Sequence, residues 1–217
     1  MTSSSSSKTW SVSGVNAQTA SFQLSGGNNK IIVTNLKFTV REFQFEEGHV
    51  YRFVNRNTGR ALNAYSESIV NAVAPDATSL QQQWYVTKEG DHFVLRNLYY
   101  AKYLKGAHVN KVVWSLTDDY SSDANKFTYV KSDAEYNSLE TKGWTTYGFM
   151  HDDGNSYNGG TRVVSWNNEN TSKSSHWTTC EVEYTADELQ AILDERPTAA
   201  EAVAKVSENF ISLFKET

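Results

Sequence analysis

The chain has little of what staples, breaks or anchors a fold. Its one cysteine, Cys180, has no partner for an internal disulfide, so the redox compartment is left open. Three residues after Trp177, it reads as a small buried side chain rather than a nucleophile. No stretch approaches the roughly 18 apolar residues of a membrane-spanning helix, so membrane insertion is not expected. Basic excess is also missing. The formal net charge is −5, and residues 185–217 carry seven acids against three bases, which leaves the rest nearly neutral. Such a body lacks the basic footprint of a nucleic-acid binder. Phosphate-cradling glycine loops, zinc-ligand spacings and Ser-His-Asp signatures are absent too. No metal, no cofactor and no catalytic activity are therefore expected. Met1 to Ser7 is a serine run without the apolar segment of a signal peptide, and it is expected to be disordered. A secreted parent remains compatible with it.

What is present is aromatic and turn-rich. Aromatics make up 13% of the residues, and twelve glycines stand against two prolines, a composition that fits many short strands joined by turns. An internal repeat runs through the middle of the chain. Tyr51, Phe93 and Tyr147 open its three copies, with Asn55, Asn97 and His151 four residues on. Arg60 and Leu62 of the first copy align with Lys102 and Leu104 of the second, whereas the third has Ser156 and Asn158 there. The copies close on Gln82-x-Trp84, Asn125-x-Phe127 and Ser175-x-Trp177, after middle strands expected at Ile69–Val73, Lys111–Leu116 and Arg162–Trp166. Offsets between copies are 42 and 54 residues at the openings and 43 and 50 at the closings, so the insertions belong in loops. The copies span about 48–89, 90–143 and 144–184, with a linker over Ser132–Gly143 in which Asp133–Leu139 reads as a short helical turn.

Two flanks differ from this body. Residues 8–46 read as a β extension: strand-like runs at Trp10–Val15 and Ala20–Leu24, the turn cluster Gly26-Gly27-Asn28-Asn29, then a run in which Leu36, Phe38 and Val40 alternate with polar residues. So few strands are marginal alone. They are expected to pack on the body or to belong to a neighbouring domain. Residues 185–217 change period. Thr185 with Glu188 and Thr198 with Glu201 are capping boxes, and Leu189, Ile192, Leu193, then Val203, Val206, Phe210 and Phe214, fall at helical spacing. Two short amphipathic helices follow, expected to cover a face of the β body or, on the other reading, to serve as a docking element.

Three copies of about four short strands, each ending in a polar residue two before an aromatic, resemble the ricin-B type β-trefoil. The closing motif of that family, Gln-x-Trp, is intact at Gln82 and Trp84 and altered at Phe127 and Trp177. The resemblance implies an all-β chain: a β-trefoil over 47–184 with an N-terminal β-strand extension and a C-terminal pair of short α-helices. It implies that the three closing aromatics share one core, and that the polar residue two before each bonds backbone at a turn.

A sugar site on this fold combines a carboxylate for two adjacent hydroxyls, a ring for the apolar face of the pyranose and side-chain amides. In the family the carboxylate follows the first strand, the ring ends the third, and the amides precede the closing tryptophan. Carried over, the third copy has Asp152 or Asp153 as the acid, Trp166 as the ring, and Asn168 and His151 nearby. A weaker second site has Trp114 with Tyr99, Tyr100 and Asn125, and no acid. The first copy reads as structural. Asp152-Asp153-Gly154-Asn155 is also what an ordinary tight turn looks like. The resemblance thus implies a carbohydrate-binding module with a glycan or polysaccharide partner, an accessory of a larger extracellular or cell-surface protein. The competing reading is a structural or protein-interaction trefoil without a sugar site.

Overall fold

The computed structural model describes residues 8–11, 19–22, 45–107, 109–132, 136–143, 146–167 and 171–215. The chain divides into two compact units, 1–44 and 45–217. In the first, β1 (Lys8–Ser11) pairs antiparallel with β2 (Thr19–Phe22), Trp10 opposite Ala20. The serine run and the strand expected over Leu36–Val40 lie outside the described residues.

The second unit holds three structural repeats of four strands, each with a 3-10 turn before its last strand. The first consists of β3 (Val50–Asn55), β4 (Ala61–Ala64), β5 (Val70–Val73), the turn Leu80–Gln82 and β6 (Trp84–Glu89). The second has β7 (His92–Asn97), β8 (Tyr103–Lys105), β9 (Ser115–Thr117), the turn Asp123–Asn125 and β10 (Phe127–Lys131). The third has β11 (Asn137–Thr141), β12 (Phe149–Tyr157), β13 (Gly160–Trp166), the turn Lys173–Ser175 and β14 (Trp177–Val182).

First and last strands close a ring in which β3, β6, β7, β10, β11 and β14 pair in that order and β14 returns to β3. Closure removes the unpaired edges that invite aggregation. The remaining strands form three hairpins that also meet one another, through Thr161 and Ala72, Ile69 and Ser115, and Val113 and Val164. Gly160 permits the first of these meetings, because a Cβ there would stand 2.3 Å from the Ala72 carbonyl oxygen. A six-stranded barrel capped by three hairpins is a β-trefoil.

Across the ring, each closing aromatic stands opposite a residue of the next repeat's first strand: Trp84 and Asn97, Phe127 and Thr141, Trp177 and Asn55. All three aromatics are buried. Asn55 and Asn97 do the same work. The Asn55 Oδ1 accepts from the Asn57 and Thr58 amides, and its Nδ2 donates to the Ser174 carbonyl of the preceding repeat at 2.8 Å. The Asn97 Oδ1 accepts from Tyr99 and Tyr100, and its Nδ2 donates to the Gln81 carbonyl at 2.9 Å. Each satisfies a turn that would otherwise bury unpaired backbone groups. The Trp84 and Trp177 indole N–H groups donate to the Leu62 and Met150 carbonyls. Phe127 has no such donor, and Asn125 Nδ2 donates to the corresponding Leu104 carbonyl instead, at 2.8 Å. At the other polar positions two before an aromatic, Gln82 binds backbone of the 74–76 loop and Ser175 binds His151. At the barrel end, the Phe45 ring meets Tyr51, Phe53, Phe93 and Tyr129 edge-on, at centroid distances of 4.8–5.7 Å.

The pairing corrects the start of the third repeat. Its first strand is Asn137–Thr141, inside the stretch read from sequence as a linker with a helical turn, and Thr141 rather than His151 takes the place of Asn55 and Asn97. The second repeat therefore ends before Asn137 and not at Gly143. Met150 and His151 lie in the second strand, equivalent to Leu62 and Asn63.

The tail forms α1 (Ala186–Glu195) and α2 (Ala199–Lys215). Both capping boxes form, Thr185 with Glu188 and Thr198 with Glu201. The α1–α2 junction docks on the second repeat. Buried Arg96 reaches the Glu201 carboxylate at 3.3 Å and donates to the Arg196 carbonyl at 2.5 Å. Arg196 in turn lies over the Tyr99 ring at 4.7 Å and donates to the Tyr99 carbonyl. The tail thus meets the β body at this junction, where Arg96 ties α2's cap to the barrel.

Two expectations follow. Phe127→Ala removes one of three core aromatics and should cost about 3–5 kcal/mol in urea unfolding; a loss below about 1 kcal/mol would contradict the shared core. Arg96→Ala should expose 186–215 to limited proteolysis and leave 45–184 resistant. Equal resistance in wild type and variant would show that the junction is held by something else.

Candidate functional site

The hairpin β12–β13 sets the geometry of the third-repeat site. Its register pairs Phe149 with Trp166, His151 with Val164 and Asp152 with Val163. Alternation then places His151 and Asp153 on the same face as Trp166 and Arg162, and Asp152 on the opposite one. The hairpin turns at Asn158-Gly159, both at positive φ, the backbone that a two-residue hairpin loop requires.

Trp166 ends β13 half-buried, and one face of its indole is stacked on His151, with centroids 4.4 Å apart and planes at 11°. Lys111 Nζ stands 5.4 Å from the ring centroid. His151 is buried, and its Nδ1 meets the Ser175 hydroxyl at 2.9 Å. Burial pushes its pKa down to about 4, against the pull of Asp153 and Asp152, so the imidazole is neutral near pH 7. The ring functions as a fixed backing for the tryptophan.

The two acids differ sharply. Asp152 is 0% exposed. Its carboxylate accepts from the Thr58 hydroxyl at 2.5 Å, the Thr161 hydroxyl at 3.0 Å and the Gly154 amide at 3.1 Å. A carboxylate so enclosed and so fully bonded joins the hairpin to the first repeat's turn and presents nothing to a sugar. Asp153 is paired with Arg162 through two guanidinium N–H groups and accepts from the Asn155 amide. Burial alone would raise its carboxyl, but the Arg162 and Asn155 hydrogen bonds and the Arg162 charge outweigh this and hold it below the usual carboxylate range. Neither acid follows the first strand of its repeat, where the structure has Lys142 and Gly143. Asn168 lies outside the described residues.

The second nominated site comes apart. Trp114 is 0% exposed, stacked on Phe127, with its indole N–H on the Ser165 hydroxyl at 2.8 Å. It is a core residue, because the segment after Gly106 folds back beside β13 through backbone bonds at Lys111, Val112 and Trp114. Asn125 is buried against the Leu104 carbonyl and Thr117. Tyr99 and Tyr100 stay at the surface as an edge-to-face pair, 4.8 Å between centroids. Cys180 is half-buried, and burial raises its thiol pKa against the pull of Arg52, which opposes a nucleophilic role. Absent from the residues that the sequence nominates is Lys111, whose place over the Trp166 ring depends on long-range backbone pairing with β13.

No protein-family model matches the sequence, and no curated protein matches it. Solved structures do. The designed three-fold symmetric protein ThreeFoil matches 61% of this chain and 99% of its own, at 15% identity and a TM-score of 0.54. A ricin B-like lectin of Macrolepiota procera, solved in complex with lactose, matches 64% of this chain and 100% of its own at 15% identity and a TM-score of 0.54. An exo-β-1,3-galactanase from Clostridium thermocellum matches 64% of this chain at 16% identity and a TM-score of 0.55, and there the match spans only 31% of the enzyme. The chain is a β-trefoil similar in fold to the ricin-B type.

The His151 environment has a measurable consequence. Its folded pKa of about 4 lies below the ordinary 6.5, so between those values the unfolded chain takes up a proton that the folded chain refuses. The stabilisation is complete above pH 6.5 and is lost as pH falls toward 4. Denaturation at pH 7 and pH 5 should show wild type losing about 1–2 kcal/mol more than His151→Phe, a variant that keeps the stacked ring. Equal losses would contradict the buried neutral imidazole.

Proposed function

We propose that the protein is a carbohydrate-binding, lectin-like module, an accessory part of a larger secreted or surface protein, and not itself an enzyme. The observation that carries this is Trp166: partly buried at the end of the third strand, with its plane set by the His151 ring behind it. A pre-oriented ring gives a pyranose an apolar platform without an ordering cost at binding. Lys111 Nζ, which stands over the ring at 5.4 Å from its centroid, is within reach of a hydroxyl on a sugar stacked there. The fold likeness to a lectin solved with lactose, and to part of a galactanase, supports the same reading. The module role rests on the second case, where the trefoil is about a third of the enzyme.

A protein-interaction trefoil is the alternative, favoured by Val203 and Val206, which are exposed on α2 at one-turn spacing.

A glycan array of the purified chain beside Trp166→Ala tests the proposal. Wild type should bind a defined sugar class, and the variant, with unchanged circular dichroism and melting, should lose at least 10-fold in affinity. Wild type binding no glycan would overturn it in favour of the protein-interaction reading.

A further inference from the structure

A site for neutral sugars uses a free carboxylate to accept from paired hydroxyls, and both acids of the Trp166 hairpin are already engaged. Asp152 is enclosed by Thr58, Thr161 and Gly154. The Asp153 side chain, 8% exposed, is tied to Arg162. What stands over the indole is instead a cation, Lys111 Nζ. Lys111 is exposed, and none of the ion pairs among the described residues includes it.

The backbone builds that placement in. Residues 109–112 form a turn closed by the Val112 amide on the Val109 carbonyl at 3.1 Å. Lys111 takes its third position at φ 64°, a left-handed backbone that suits glycine or asparagine and strains a lysine. Three backbone hydrogen bonds pin the segment to β13. The Lys111 amide donates to the Ser165 carbonyl at 2.8 Å, the Ser165 amide to Val112 at 3.0 Å, and the Trp114 amide to Val163 at 2.9 Å. The turn itself gives no reason for a lysine there, whereas its side chain over Trp166 does.

We infer that Lys111 makes this an acidic-sugar site: the ligand is a glycan bearing a uronic acid, its pyranose stacked on Trp166 and its carboxylate accepting from Lys111 Nζ. A uronic acid carries its carboxylate at the ring edge, beside the face that stacks. An ammonium–carboxylate hydrogen bond is stronger than one to a neutral hydroxyl, and the ammonium is otherwise drawn to the indole face. A neutral sugar must displace that cation in exchange for a hydroxyl. A uronate takes it as a partner.

The inference rests on the carbohydrate reading, and paired ligands separate the two. Uronate oligosaccharides of gluco, galacto and manno configuration, each beside its methyl ester, present the same ring and hydroxyls with and without the charge. By titration calorimetry, wild type should bind at least one uronate about 10-fold tighter than its ester, and the difference should shrink in about 0.5 M salt. Lys111→Gly is the deciding variant, because glycine suits the left-handed turn and keeps its amide. It should melt no lower than wild type and bind uronate and ester alike, while Trp166→Ala should lose both. Equal affinity of wild type for uronate and ester, binding of neutral glycans alone, or a preference that survives in Lys111→Gly overturns the acidic-sugar site. If that binding still needs Trp166, the proposed function stands. No binding of any glycan by wild type overturns both.

Discussion

The structure depends on an aromatic that no repeat can bury by itself. Trp84, Phe127 and Trp177 each begin a last strand, and each is sheltered by the first strand of the repeat that follows, the last of them by the first in a closed circle. An isolated repeat would leave its largest apolar side chain in water, and the burial that offsets chain entropy arrives only when the third strand pair closes. Much of the rest follows from that closure. The 3-10 turn before each aromatic is the corner that lets the strand enter the barrel, and Asn55 and Asn97 brace two of those corners from the neighbouring repeat.

That constraint also explains what was legible in the sequence. The closing positions stood out because the core admits only a large ring there, so the number of repeats and the fold class could be read from three positions. The opening of the third repeat could not. Thr141 stands there with one hydroxyl and one methyl where the other repeats use asparagine, and Asn137-Ser-Leu-Glu-Thr141 looks polar although four of its five residues are buried. Tyr147 and His151 supplied a false match at the same spacing. From that slip followed the placing of Asp152 and Asp153 at the acid position, although one braces the first repeat's turn and the other is tied to Arg162. Trp114 is a similar case. An aromatic at the right distance from a closing ring can as well fold inward, and only the return of residues 111–114 along β13 decides which. The tail was legible because capping boxes and helical spacing are local.

Function on this scaffold falls to what the barrel does not use. The barrel consumes one ring per repeat, and the hairpin cap consumes glycines and small residues where strands approach closely. Trp166 is left over from that demand and is oriented by its neighbour His151. The tail matters here in a way its sequence does not reveal. By docking through Arg96 it makes the second repeat unlike the other two, so the pseudo-symmetry of the barrel is not passed on to the surface.

The carbonyl shared by Leu62, Leu104 and Met150 carries a last consequence. In every repeat it receives a side-chain donor: an indole N–H twice, and the Asn125 amide once. What the fold holds constant is the acceptor's need, while the donor has changed hands. Residues that sit two apart in the chain have therefore become dependent on each other. A tryptophan brought into the second repeat would share a carbonyl that Asn125 already engages, and an asparagine removed there takes away its side-chain donor. Transplanting single residues between repeats that look interchangeable would break what each holds separately.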